Sequence, residues 1–216
     1  MIDIFDNLFD VNNLNTLLFH NPYAKLYFTS LAILHFNKTI YIDLDTTFTA
    51  FCKTNLKLFP DLQDKKFTLY TLDEDELEYK MYSIVSNIPS NNLVIIDSIN
   101  SLYYLSYKNL DTTINLFKEI TYTQNTISNF LMLLLSYCKS FSIPILVTCM
   151  LKHRQKMNNH ETWIKKPVNH RFFEKKSKTI FYIDIYSSKL ILEILSHNSI
   201  PHQTLILKDI ILDYLQ

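Results

Sequence analysis

The chain has 216 residues, a length that fits one domain around one core. Hydrophobic residues make up 48% of it, with 14 Tyr and 15 Phe, which excludes a disordered chain. Formal net charge is zero, so any attraction to nucleic acid must be local rather than global. Cys52, Cys138 and Cys149 form no C-x-x-C pair, which argues against a zinc site or disulfide framework and for a reducing compartment. The opening MIDIFDNLFD is acidic and lacks the basic start and apolar run of a secretory signal. There is no glycine. Asn, Asp and Ser are therefore expected to do the turning.

In chain order, NTLLF (Asn15 to Phe19) reads as a short strand, and AKLYFTSLAILHF (Ala24 to Phe36) has helical spacing. KTIYIDLD (Lys38 to Asp45) reads as a strand, TTFTAFCKTNLKLF as a helix and KFTLYTL (Lys66 to Leu72) as a strand. DEDELEYKMYSIVSNI opens with acidic residues, as a helix amino end prefers. NLVIID is a strand that delivers Asp97. Residues 112–140 are expected to form a long helix, followed by the strand IPILVTCM. Phe130 to Leu151 is long enough to cross a bilayer, but Lys139 sits mid-span, and a helix, turn and strand are expected instead. KTIFYIDIYS, KLILEILS and QTLILKDI close the chain as consecutive strands. Strand–helix alternation with near-continuous apolar strands predicts a mostly parallel α/β sheet covered on both faces, with an antiparallel extension at one edge.

Four segments, in order, resemble the core of the RecA/RadA-type recombinase family, and more closely the archaeal and eukaryotic recombinases and their paralogs. YIDLDTTF (Tyr41 to Phe48) is similar to the family's Y-I-D-T-E-G-T-F strand. LVIIDSINSLYY is similar to its Walker B strand. IPILVTCM (Ile143 to Met150) is similar to the strand ending V-x-T-N-Q, and the tail resembles the closing hairpins. The resemblance covers nearly the whole chain and implies a single RecA-like P-loop NTPase core over residues 1–216, without the family's N-terminal helical domain.

The resemblance also exposes departures. The phosphate loop G-x-x-x-x-G-K-[ST] should follow the first strand, where FHNPYAKL (Phe19 to Leu26) stands. Lys25 takes the place of the phosphate lysine. Phe19 and Ala24 replace both glycines, and Leu26 replaces the magnesium-binding hydroxyl. Such a loop works through inward backbone N–H groups, and Pro22 has none. Leu26 offers no oxygen to a hard cation. Asp45 stands where the family's catalytic Glu activates water, and its shorter side chain reaches about 1.5 Å less far. Asp97 is the Walker B carboxylate. Met150 replaces the γ-phosphate-sensing Gln, and Cys149 the Asn before it. No ATP, magnesium or catalytic residue is expected to function; Asp45 and Asp97 are relic positions and Lys25 a relic of the cofactor site. Structural alternatives stand beside these readings: Asp97 as a turn cap, Lys25 as an exposed lysine at a helix start, and Asp43 and Asp45 as polar residues at the turn end of a strand.

Charge clusters late in the chain. Lys152, Arg154, Lys156, Lys165, Lys166, Arg171, Lys175, Lys176 and Lys178 face only Glu161 and Glu174, and Trp163, Phe172 and Phe173 lie among them. The stretch falls where the family carries its second DNA-binding loop. Cations track phosphates and aromatic rings stack on unpaired bases, so single-stranded DNA is the expected ligand, with a solvated loop as the alternative. The resemblance implies a non-catalytic recombinase paralog, a Shu-complex-like subunit for homologous-recombination repair, in a heterodimer with a recombinase or another RecA-like paralog. It would lie in the nucleus of a eukaryote, or else the cytoplasm, away from membranes. IDIFDNLF is a candidate docking segment for the partner, or a frayed terminus. A divergent ATPase and a protein-only structural subunit are the alternatives.

Overall fold

The computed structural model describes residues 5, 7–36, 38–55, 66–71, 83–107, 116–155, 163–166 and 170–209. The first strand, β1 (Leu14–Phe19), feeds helix α1 (Pro22–His35). Then come β2 (Lys38–Asp43), α2 (Thr47–Asn55), β3 (Lys66–Thr71), β4 (Leu93–Asp97), α3 (Ile99–Tyr107), α4 (Leu116–Ser140) and β5 (Ile145–Met150). A two-stranded ribbon follows, β6 (Lys152–Gln155) and β7 (Trp163–Lys166), then the short helix α5 (His170–Lys176). Strands β8 (Ser177–Tyr186), β9 (Lys189–Ser196) and β10 (Gln203–Asp209) complete the described chain.

Eight strands form one sheet in the order β10-β9-β8-β1-β5-β4-β2-β3. From β8 to β3 neighbours run parallel; β9 and β10 are antiparallel. The expected mixed α/β sheet is therefore present, with one refinement. The first of the three closing strands joins β1 in parallel, and the antiparallel extension begins with β9. β1, β2, β4 and β5 are buried on both faces, and their side chains alternate between two cores. Val94 and Ile96 of β4 enter one core with α3 and α4, whereas Leu93 and Ile95 enter the other with α1 and α2.

Helix α3 was not legible. α3 lies directly after β4, where the polar and aromatic run INSLYYLSY gives weak apolar periodicity. Of the predicted helix DEDELEYKMYSIVSNI, residues 83–87 are helical, and the rest lies outside the described residues. Among the described residues, no helix is long and apolar enough to cross a membrane. The described residues of the candidate docking segment are packed on the core rather than frayed. Of IDIFDNLF, Leu8 is fully buried, Phe5 packs on the rings of Phe28 and His35, and Phe9 on Phe36 and Phe181. Phe5, Phe9, His35 and Phe36 also line an open groove of about 540 Å³ at the amino ends of β2, β4 and β5.

Without glycine, left-handed backbone falls to Thr46, Ser142, Ser187 and Ser188, with φ of 60°, 55°, 47° and 63°. Ser takes three of these positions and Thr, which was not foreseen, the fourth, while Asp10 and Asp45 turn the chain by accepting the N–H groups of Asn12 and Thr47. Ser142 ends α4 in a Schellman arrangement: its N–H donates to the Lys139 carbonyl and that of Ile143 to the Cys138 carbonyl. Ser187 and Ser188 form the two-residue turn between β8 and β9, both with positive φ, as a type I′ turn requires. A Cβ in this region costs about 1–2 kcal/mol per residue. Ser188→Gly is accordingly expected to raise stability by about 1 kcal/mol in urea denaturation, after allowing for the greater freedom of Gly in the unfolded chain.

Candidate functional site

In an open parallel sheet, ligands bind beyond the carboxyl ends of the strands. Here β1, β2, β4 and β5 bring Lys25, Asp43, Asp45, Asp97 and Thr148 to that edge. Asp43 and Asp97 are register partners at the ends of β2 and β4. Their side chains are both fully buried.

Asp97 is saturated. Its Oδ2 lies 2.7 Å from Lys25 Nζ and accepts the Tyr41 hydroxyl at 2.5 Å, while Oδ1 accepts Thr148 Oγ1 at 2.6 Å. The turn-cap reading of Asp97 is thereby overturned: this carboxylate is spent on three side chains from three elements. Lys25 is likewise no exposed helix-start lysine. It is 1% exposed, its ammonium donates to Thr47 Oγ1 at 2.9 Å, lies 3.8 Å from Asp45 Oδ2, and sits over the Phe19 ring. The stem has been drawn inward because a paired charge is tolerable in the interior and an unpaired one is not.

Asp45 lies beyond the end of β2 and serves the next helix. Its Oδ1 accepts the Thr47 N–H at 3.0 Å and the Thr47 hydroxyl at 2.6 Å, at the start of α2. Thr46 stands in the left-handed region where the resembled family has Gly. Asp43 Oδ2 accepts both the N–H and hydroxyl of Thr49, and its Oδ1 has no hydrogen-bond partner. Burial raises the Asp43 carboxyl above the usual carboxylate range. The Thr49 bonds oppose that rise, and the charges of Asp97 and Asp45 add to it. Burial and then the Asp97 charge raise the Tyr41 phenol well above its ordinary value, so it stays a hydrogen-bond donor.

The segment at the phosphate-loop position is short and helical. Only His20 and Asn21 separate β1 from α1. Asn21 caps the helix by accepting the Tyr23 N–H, and Pro22 fills the first turn, where no N–H is needed. The Lys25 N–H donates to the Asn21 carbonyl. Ala24 and Leu26 are buried in the core with Phe28. Met150 is 36% exposed, and both its main-chain groups are held by the Asn100 side-chain amide. Cys149 is buried.

Sequence reasoning missed Tyr41, Thr47, Thr49, Asn100 and Thr148. Tyr41 and Thr148 lie inside the two strand motifs already singled out, and their alternation with apolar neighbours was the available signal. Nothing in the sequence marks Asn100.

The basic stretch is built rather than loose. β6 and β7 pair antiparallel, setting Lys152 opposite Lys166, His153 opposite Lys165, Arg154 opposite Ile164 and Gln155 opposite Trp163. Lys156 lies outside the described residues. Arg171 is in α5; Lys175, Lys176 and Lys178 are exposed at the end of α5 and start of β8. The two phenylalanines are not a stacking platform. Phe173 is buried in the core and Phe172 packs half-buried against it, anchoring α5.

No family profile matches the chain, and no characterised protein matches it in sequence. Solved structures do. The crystal structure of the RadB recombinase resembles this chain with a TM-score of 0.61 at 20% identity, over 94% of this chain and 92% of that one. The fold is RecA-like. At that identity the likeness is one of fold, and it agrees with the sheet order and the antiparallel closing strands.

The buried pair generates a stability prediction. Removing one member of such a pair costs about 3–5 kcal/mol, because the survivor is left uncompensated. Lys25→Met and Asp97→Asn should each lose about that much in denaturant unfolding, and the double variant should lose clearly less than their sum.

Proposed function

We propose that the chain is a non-hydrolysing RecA-like subunit that assists homologous recombination, binding single-stranded DNA and pairing with a recombinase or a second RecA-like subunit. The observation that carries this reading is the state of Lys25. The lysine that would reach a nucleotide's phosphates is buried on the carboxylate that would serve the metal, 2.7 Å away. α1 starts where a phosphate cradle would need free N–H groups, so the positive end of the helix is filled by Asn21 and Pro22. A fold kept intact with its nucleotide end closed fits a binding role better than a catalytic one.

The DNA half of the proposal rests on the ribbon. β6 leaves the carboxyl end of β5 after Leu151, whose N–H is fixed to the Phe19 carbonyl. Its backbone register pairs Lys152 with Lys166 and brings Arg154 and Lys165 into the same ribbon, a concentration of positive charge that suits an anion. A phosphate backbone supplies that anion without regard to sequence.

The first test is affinity capture from the native cell. A RecA-like protein in near-stoichiometric amount is expected, and its absence would remove the mediator role. On the captured complex, reversing Lys165, Lys166, Lys175 and Lys176 to Glu should weaken binding to an oligothymidine by about tenfold or more at moderate salt, with a flatter salt dependence. Unchanged affinity would leave the protein-only structural role. The divergent-ATPase reading draws support from the three carboxylates at the site. It requires Mg–ATP to raise the melting temperature of the chain in a Lys25-dependent way, whereas the present proposal expects no rise.

A further inference from the structure

Helix α4 has two apolar faces and needs only one. Ile127, Leu131, Leu134 and Cys138 enter the core. On the other side Tyr122, Thr126, Asn129, Leu133, Tyr137 and Ser140 follow one another at spacings of three or four residues, which sets them in one outward stripe. All six are exposed, Tyr122 by 73% and Leu133 by 72%. From Ile120 to Cys138 the helix carries no Lys, Arg, Asp, Glu or His, although charged residues make up 19% of the chain. A helix ordinarily places its charges on the solvent face. Lys139 does not enter the stripe: six residues on from Leu133, it points about 120° away.

A surface depleted of charge and supplied with Tyr and Phe has the composition of the covered centre of an interface. The stripe also continues past the helix. The ring of Phe141, itself half-exposed, lies 5.2 Å from that of Tyr137. Phe141, Ser142, Ile143 and Pro144 then form one wall of the open groove at the amino ends of β2, β4 and β5.

A charged partner would leave its charge buried and unpaired on this face. The stripe itself meets the requirement, and it is self-complementary when two helices run antiparallel about an axis at Leu133. Leu133 then meets its own copy, Tyr137 falls opposite Asn129, Phe130 opposite Ser136 and Phe141 opposite Asn125, so that large side chains meet small ones. Tyr122 falls opposite Pro144, at the rim of the partner's groove. A parallel pairing would set each ring against itself. Antiparallel pairing also aligns the two helix dipoles favourably and closes the assembly at two copies.

We infer that two copies of this chain pair through α4, antiparallel and two-fold about Leu133, with Tyr122 of each at the groove of the other. The inference concerns the purified chain and does not rest on the DNA or recombinase readings, so its failure leaves those standing.

Sedimentation of the purified chain at tens of micromolar should give about twice the monomer mass of 25.6 kDa. Leu133→Glu sets a carboxylate against its own copy on the axis and should weaken the dimer by about a hundredfold or more. Because Leu133 is exposed, the far-ultraviolet spectrum should stay that of wild type. Leu133→Ser, with a loss of about tenfold, reads the same contact if the Glu variant does not fold. Under mild oxidation Leu133→Cys should cross-link to itself, and an equimolar mixture of Asn129→Cys and Tyr137→Cys should give the mixed dimer. Tyr104→Cys, 69% exposed on α3, should cross-link no more than wild type. A chain that stays monomeric, a dimer that both Leu133→Glu and Leu133→Ser leave intact, or cross-linking through Cys at 104 as strong as at 133 would overturn the inference. A monomer that takes up a RecA-like subunit in a Leu133-dependent way would assign the face to that subunit and overturn it as well.

Discussion

A buried charge must be answered inside the protein, and in this chain the answer to Asp97 is Lys25. The two groups come from β4 and α1, and Tyr41 of β2 and Thr148 of β5 close the remaining positions. Four elements are thereby fixed to one carboxylate at one end of the sheet. Neither residue is free to change alone, since each would strand the other in low dielectric. The pair is a constraint on sequence before it is a source of stability. It also accounts for a lysine at the start of α1 and a carboxylate at the end of β4 in a chain where only two residues separate β1 from α1.

The sheet was legible because parallel strands are buried on both faces and advertise themselves as apolar runs. NLVIID, KTIYIDLD and IPILVTCM needed no help from tertiary context. What lay between them was harder. INSLYYLSY forms a helix whose register is imposed by the core beneath it, not by its own periodicity. The ribbon of β6 and β7 joins KHRQ, of low strand preference, to WIKK through a pairing that sequence reading has no means to weigh. At the site, the sequence singled out Lys25, Asp45 and Asp97 but gave no sign that Lys25 and Asp97 are paired. Type and position say that Lys25 and Asp97 are present. Only packing says that they touch, and contact between residues 25 and 97 is set by how α1 lies across the sheet.

Phe172 and Phe173 carry a related lesson. In the sequence they sit among cations and invite a reading as base-stacking rings. In the fold they bury the underside of α5, so that Lys175 and Lys176 stand on a rigid support where β8 begins. An aromatic residue in a basic segment has two possible employers, the ligand and the core, and the core has the larger area to offer.

The sheet order has a consequence for synthesis. β1 precedes every other described strand in the chain, yet it lies inside the sheet, between β5 and β8. Asn15 pairs with Leu146 on one side and Thr179 on the other. A strand made first must therefore wait for partners made more than a hundred residues later, with both of its edges unprotected on the ribosome. Non-local parallel pairing of this kind is slow and exposed to aggregation. Until β8 has emerged, β1 lacks one of its two neighbours, and a nascent chain stalled short of that point carries an interior strand edge open to whatever protein meets it first.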